Sequence, residues 1–84
     1  MIQRQAVLRS SDLNRVRLRQ NAFDRWIIVG AANENLAWSG SRFVPITDEG
    51  FPASDVQVSN LDTREDAAEY AASFGFEVVA PTIH

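Results

Sequence analysis

The sequence predicts a small α+β domain: an antiparallel sheet of four or five strands with one helix, residues 63–74, packed on one face. Three stretches carry this. LDTREDAAEYAASFGFEVVA (61–80) reads as a helix running into a strand, RVRLR (15–19) alternates strictly, and RWIIV (25–29) is an apolar, β-branched run closed by Gly30. Each stretch has one period only, 3.6 for the helix and 2 for the strands, so the assignment follows from side-chain geometry.

The helix is specified at both ends. Thr63 is a hydroxyl N-cap and Asp66 completes a T-x-x-D capping box, while Glu65 and Asp66 place negative charge against the positive end of the dipole. Ala67, Tyr70, Ala71 and Phe74 fall at three- and four-residue spacing and form an apolar stripe, with Glu65 and Glu69 away from it. Gly75 is a left-handed C-terminal stop, and Phe76 is expected to fold back on Tyr70 or Ala71. Phe76–Val79 is then a short strand.

Earlier in the chain, QAVLR (5–9) is a strand candidate followed by a polar turn at Ser10–Asp12. In RVRLR, Val16 and Leu18 face inward and the arginines outward. AANEN (31–35) is a turn by composition, and LAWSGSRFVPI (36–46) holds a strand that Pro45 bounds or confines to an edge. Thr47–Ser54, with Gly50 and Pro52, is the longest loop and the expected site of mobility. DVQVS (55–59) alternates again, with Val56 and Val58 toward the core. No repeat, low-complexity segment or linker divides residues 1–84, so they are read as a single domain.

Composition narrows the function. The 84 residues are 45% hydrophobic and contain no cysteine and one histidine, the terminal His84. Disulfides, thiolate ligands and thiol nucleophiles are therefore excluded, and no apolar run approaches the length of about 20 residues that spans a bilayer. The residues after Met1 do not form a signal-peptide pattern, and a cytoplasmic location is expected. All eight basic residues are arginine, which excludes Schiff-base and phosphate-loop lysine chemistry. Neither a catalytic triad, a zinc motif, a dinucleotide fingerprint nor a calcium loop is present. Asp48–Glu49 is a solvated pair in a loop, and Glu65 and Asp66 are explained by capping. Ser39-Gly40-Ser41 beside Arg42 is a weak anion-cradle pattern. The expectation is a non-enzyme without cofactor or metal.

Charge is unevenly placed. Six arginines fall in the first 25 residues against Asp12 and Asp24, whereas Arg42 and Arg64 stand against nine carboxylates in the remainder. Such polarity suits oriented docking on a charged partner. The candidate partner interface is Arg15, Arg17, Arg19, Trp38 and Arg42. Trp38 lies in a polar setting where tryptophan serves either as an interface anchor or as a ring packed under its own loop. Replacing Arg15, Arg17 and Arg19 by glutamine is expected to weaken docking and leave the fold intact. A nucleic-acid module would use the same arginines on phosphates with Trp38 or Phe43 stacking, but the formal charge of −3 disfavours it.

Three segments in order, Arg25-Trp26, Leu36–Ser39 and VQVSNLDTREDAAEYAASFGF (56–76), resemble a known family. Within the last, T-x-E-D-A-x-x-Y-A-x-x-x-G-aromatic is the fullest correspondence. The family is the eighteen-kilodalton accessory subunit of respiratory complex I, the ETC complex I subunit conserved region. The resemblance implies a non-catalytic subunit on the peripheral arm of NADH dehydrogenase, holding other protein subunits and no redox centre. Its membrane association would be indirect, on the inner face through the complex. The Arg42–Ser54 loop is longer than the family pattern, the N-terminal strand lacks the family's proline and lysines, and the basic tail and transit peptide of mitochondrial members are missing. The chain thus resembles a divergent member. A small adaptor or regulatory module of another assembly is the alternative.

Overall fold

Alternation in RVRLR becomes β1 (Arg15–Gln20), and the apolar run becomes β2 (Trp26–Gly30). In the computed structural model, which describes residues 14–79, these are followed by β3 (Leu36–Trp38), β4 (Phe43–Pro45), helix α1 (Arg64–Ser73) and β5 (Glu77–Val78). The five strands form one open sheet in the order β4-β3-β2-β1-β5. The QAVLR candidate and the terminal residues 80–84 lie outside the described residues.

The first four strands form an antiparallel meander, in which the stretch 36–46, read from sequence as holding one strand, folds into the two strands β3 and β4. β5 differs: it pairs parallel to β1, with Arg15 opposite Glu77 and Val16 opposite Val78. Parallel neighbours need a crossover, and α1 supplies it by carrying the chain back over the sheet. Pro45 sits in β4 at the sheet edge, where a residue lacking an N–H is tolerated.

Both faces of the sheet are covered. Val16 and Ile28 are fully buried with Ala71 of the helix, and Leu18, Leu61, Tyr70 and Val78 pack around them. On the other face Ile27, Val29, Ala37 and Val44 pack under Ile46, Val56 and Val58. The stretch 46–58 is therefore a second core layer. Its first half turns back beside β4, with Thr47 N–H donating to Phe51 O at 2.8 Å and Ala53 N–H to Pro45 O at 3.1 Å. The DVQVS stretch forms no strand, yet Val58 is buried and Val56 half-buried, so the alternation located the core-facing side chains without ladder pairing.

The helix ends as its sequence specifies. Asp66 N–H donates to Thr63 Oγ1 at 3.0 Å. Gly75 has φ 84°, and Gly75 and Phe76 N–H donate to Ala72 and Ala71 carbonyls at 2.9 and 3.2 Å. Ala67 and Ala71 are the helix residues buried completely, since small side chains let α1 approach the sheet closely.

Candidate protein-interaction surface

The aromatic residues gather over β3 and β4 on the helix side. Register puts Trp38 beside Phe43, with ring centroids 5.2 Å apart. The helix lies over β1, β2 and β5. Over β3 and β4 the cover comes instead from the two rings that follow the helix. Phe74 reaches Trp38 at 5.2 Å, and Phe76 reaches Trp38 at 4.9 Å and Phe43 at 5.6 Å. Tyr70 closes the cluster against Phe74 at 5.0 Å. Edge-on ring geometry of this kind adds to the burial itself, on the order of 1 kcal/mol per pair. Phe76 thus folds back beyond Tyr70 and Ala71, onto the sheet.

Trp38 is half-buried, and its Nε1 is shielded from solvent with no hydrogen-bond partner among the described residues. Phe74 remains 43% exposed at the margin of the cluster. Beside Phe43, a cleft of about 110 Å³ is lined by Arg15, the Gly30–Asn33 turn, Leu36 and Phe43, and its walls are almost wholly apolar.

The arginines do not join Trp38 on one surface. Arg17 pairs with Val29 and Arg19 with Ile27 in the β1–β2 register, which sets them on the face covered by 46–58, opposite Trp38. Arg17 donates to Ala31 O at 2.8 Å and to Glu34 at 3.1 Å. Arg19 donates to the Asp48 carbonyl. Both guanidiniums are thus engaged inside the fold, because a covered second face leaves no free row of outward arginines. Arg15 and Arg42 are exposed and form no ion pair among the described residues. Ser39 Oγ is occupied locally, donating to Arg42 O at 2.8 Å and accepting from Arg42 N–H at 3.2 Å, so this hydroxyl is committed to the turn itself.

Sequence reasoning passed over a second apolar feature at the β1–β2 turn. Phe23 is 77% exposed, 4.9 Å from Phe51, at the lip of a cleft of about 200 Å³ that includes Arg25, Ile27, Val58 and Asn60. The turn is rigidly built: Asn21 Oδ1 accepts from Phe23 and Arg25 N–H, and Asp24 adopts φ 64°. An aromatic residue in the polar string Asn-Ala-Phe-Asp was the available signal. Arg25, in the same cleft, bonds Asn60 Oδ1 at 2.8 Å and pairs with Asp62.

No group of histidine, cysteine and carboxylate side chains suited to a metal occurs among the described residues. No described helix is long and apolar enough to cross a membrane. Comparison with protein-family models, curated proteins and solved structures finds no match.

Proposed function

We propose that the chain is a non-catalytic accessory subunit that docks on other protein subunits, in the manner of the complex I family it resembles. One observation carries this reading: the three segments that bear the resemblance assemble into a single unit. Trp26 and Leu61 exchange backbone hydrogen bonds at 2.8 Å, and Arg25 reaches Asn60 and Asp62. Ser59 N–H donates to Trp38 O at 3.0 Å, and the Trp38 ring meets Phe74 and Phe76. Motif residues scattered from 25 to 76 thus support one another.

The assembly proposed is the peripheral arm of NADH dehydrogenase, with membrane contact only through the complex. Exposed apolar rings, with no metal-binding group of side chains among the described residues, favour docking over catalysis. A nucleic-acid role loses support because Arg17 and Arg19 are spent on Ala31, Glu34 and Asp48. Affinity capture of the tagged chain from solubilised source cells, read by mass spectrometry against a tag-only control, tests the reading. Recovery of NADH dehydrogenase subunits is the expected result. Recovery of an unrelated assembly would replace it by the adaptor alternative, and nucleic acid released at moderate salt would refute it.

A further inference from the structure

Three segments wall the cleft beside Phe23, and hydrogen bonds tie the first to the other two. Ala22 N–H donates to Glu49 O at 2.9 Å, joining the β1–β2 turn to the 47–51 turn. Arg25 Nε donates to Asn60 Oδ1 at 2.8 Å, joining the same turn to residues 57–60. Walls held in place this way lose little freedom when a ligand arrives. The floor is Ile27 and Val58, both buried, and at the lip Phe23 presents a ring that is 77% exposed.

The polar groups on these walls have their acceptors engaged and several donors free. Asn21 Oδ1 accepts from Phe23 and Arg25 N–H at 2.8 and 3.1 Å, whereas Asn21 Nδ2 makes no bond among the described residues. Asn60 Oδ1 is held by Arg25. Each terminal nitrogen of Arg25 keeps one N–H beyond those given to Asp62 and Asn60 O. The exposed Gln57 amide can turn either end to a ligand. Such walls suit a ligand that accepts hydrogen bonds. They do not suit an anion: Asp62 neutralises Arg25, and the exposed Asp24, Asp48 and Glu49 of the two turns form no ion pair among the described residues.

Peptide conformations differ in what they bring to such walls. A helix keeps its carbonyls bonded internally, and an added strand needs a free strand edge, whereas β2 behind this cleft is paired on both sides. A polyproline II segment has no internal hydrogen bonds, and its prolines bring carbonyls without N–H. We propose that the cleft receives a proline-rich segment of a partner protein in this conformation. A proline ring lies on Phe23 and Phe51, and carbonyls of the segment accept from Asn21 Nδ2 and Arg25. This inference rests on the reading of the chain as an interaction subunit and names the chemistry of what it binds.

The test is a random dodecapeptide display library panned on the immobilised full chain, with enriched peptides synthesised and titrated calorimetrically. The expected consensus has prolines at P-x-x-P spacing, since this helix repeats about every three residues. Phe23→Ala, at an exposed position, is expected to weaken such peptides about tenfold or more, as for an anchor ring. Asn21→Asp keeps the oxygen that holds the turn and removes the amide donor, so it weakens them about two- to tenfold. Arg42→Ser, outside this cleft, leaves affinity unchanged. Raising the salt changes affinity little, because no ion pair forms on binding. A consensus without proline, no enrichment, affinity indifferent to Phe23→Ala or to Asn21→Asp, or a steep fall with salt overturns the proposal. So does a dimer in sedimentation that Phe23→Ala dissociates, which would make a second copy the occupant. Equal capture of NADH dehydrogenase subunits by wild type and Phe23→Ala, with no proline consensus, would remove this site and leave the subunit reading standing. Proline-peptide binding as described with capture of another assembly would do the reverse.

Discussion

Trp26 and Leu61 exchange both backbone hydrogen bonds, each at 2.8 Å, across 34 residues of intervening chain. This isolated antiparallel bridge fastens the segment entering α1 to the start of the central strand β2. Two residues later Thr63 caps the helix, so the bridge fixes where α1 begins relative to the sheet. Close by, Ser59 Oγ and Tyr70 OH lie 2.7 Å apart, joining the same entering segment to the body of the helix.

That hydroxyl pair is partly buried, and removing one partner strands the other. Tyr70→Phe is expected to cost about 1 kcal/mol in urea unfolding. The double variant Tyr70→Phe with Ser59→Ala should lose less than the sum of the two single variants. Strict additivity would mean that the hydroxyls do not interact.

Two glycines with positive φ should respond differently to alanine. Gly75 (φ 84°) has no neighbour within 4 Å of an added Cβ, so Gly75→Ala carries only the left-handed penalty of about 1–2 kcal/mol. Gly75→Val costs more, because β-branching resists positive φ. At Gly50 (φ 88°) the same Cβ would lie 2.8 Å from Asn21 Cβ, adding overpacking of about 1–3 kcal/mol to the conformational term. Denaturation midpoints should therefore fall further for Gly50→Ala than for Gly75→Ala; the opposite order would contradict the close approach of the 47–51 turn to Asn21.

Because Ile46 and Val58 roof the face formed by Ile27 and Val29, the 46–58 segment should behave as core. Ile46→Ala is expected to lower stability by about 2–4 kcal/mol. Limited proteolysis of the native protein should spare this segment. Rapid cleavage there, with the rest of the fold intact, would show that it is an ordinary surface loop.

Arg17→Gln and Arg19→Gln should register in stability as well as in any docking assay. Each removes a bond to a backbone carbonyl, and Arg17 also loses its bridge to Glu34. These sites are partly solvated and screened, so the expected loss is at most about 1 kcal/mol apiece by chemical denaturation. Arg15→Gln, with no such partner among the described residues, is expected to leave the denaturation midpoint unchanged.

What the sequence could determine was whatever depends on neighbours within a few residues. The Thr63 cap, the Gly75 stop, the alternation of Val16 and Leu18, and the apolar, β-branched strand RWIIV are all properties of local periodicity and backbone sterics. The helix and four strands therefore appear where the pattern places them. Even the misassigned DVQVS strand indicated the correct inward residues, since an extended segment alternates whether or not it finds a ladder partner.

The tertiary structure decided which surfaces remain free. Arg15, Arg17 and Arg19 are equivalent in sequence, but the long-range layer 46–58 covers one face and engages Arg17 and Arg19 while leaving Arg15 exposed. Trp38 owes its surroundings to Phe74 and Phe76, more than 30 residues away, delivered by the crossover that also makes β5 parallel. Local pattern is set by sterics between adjacent residues, whereas exposure is set by what the remaining chain lays on top, and only the folded arrangement fixes that.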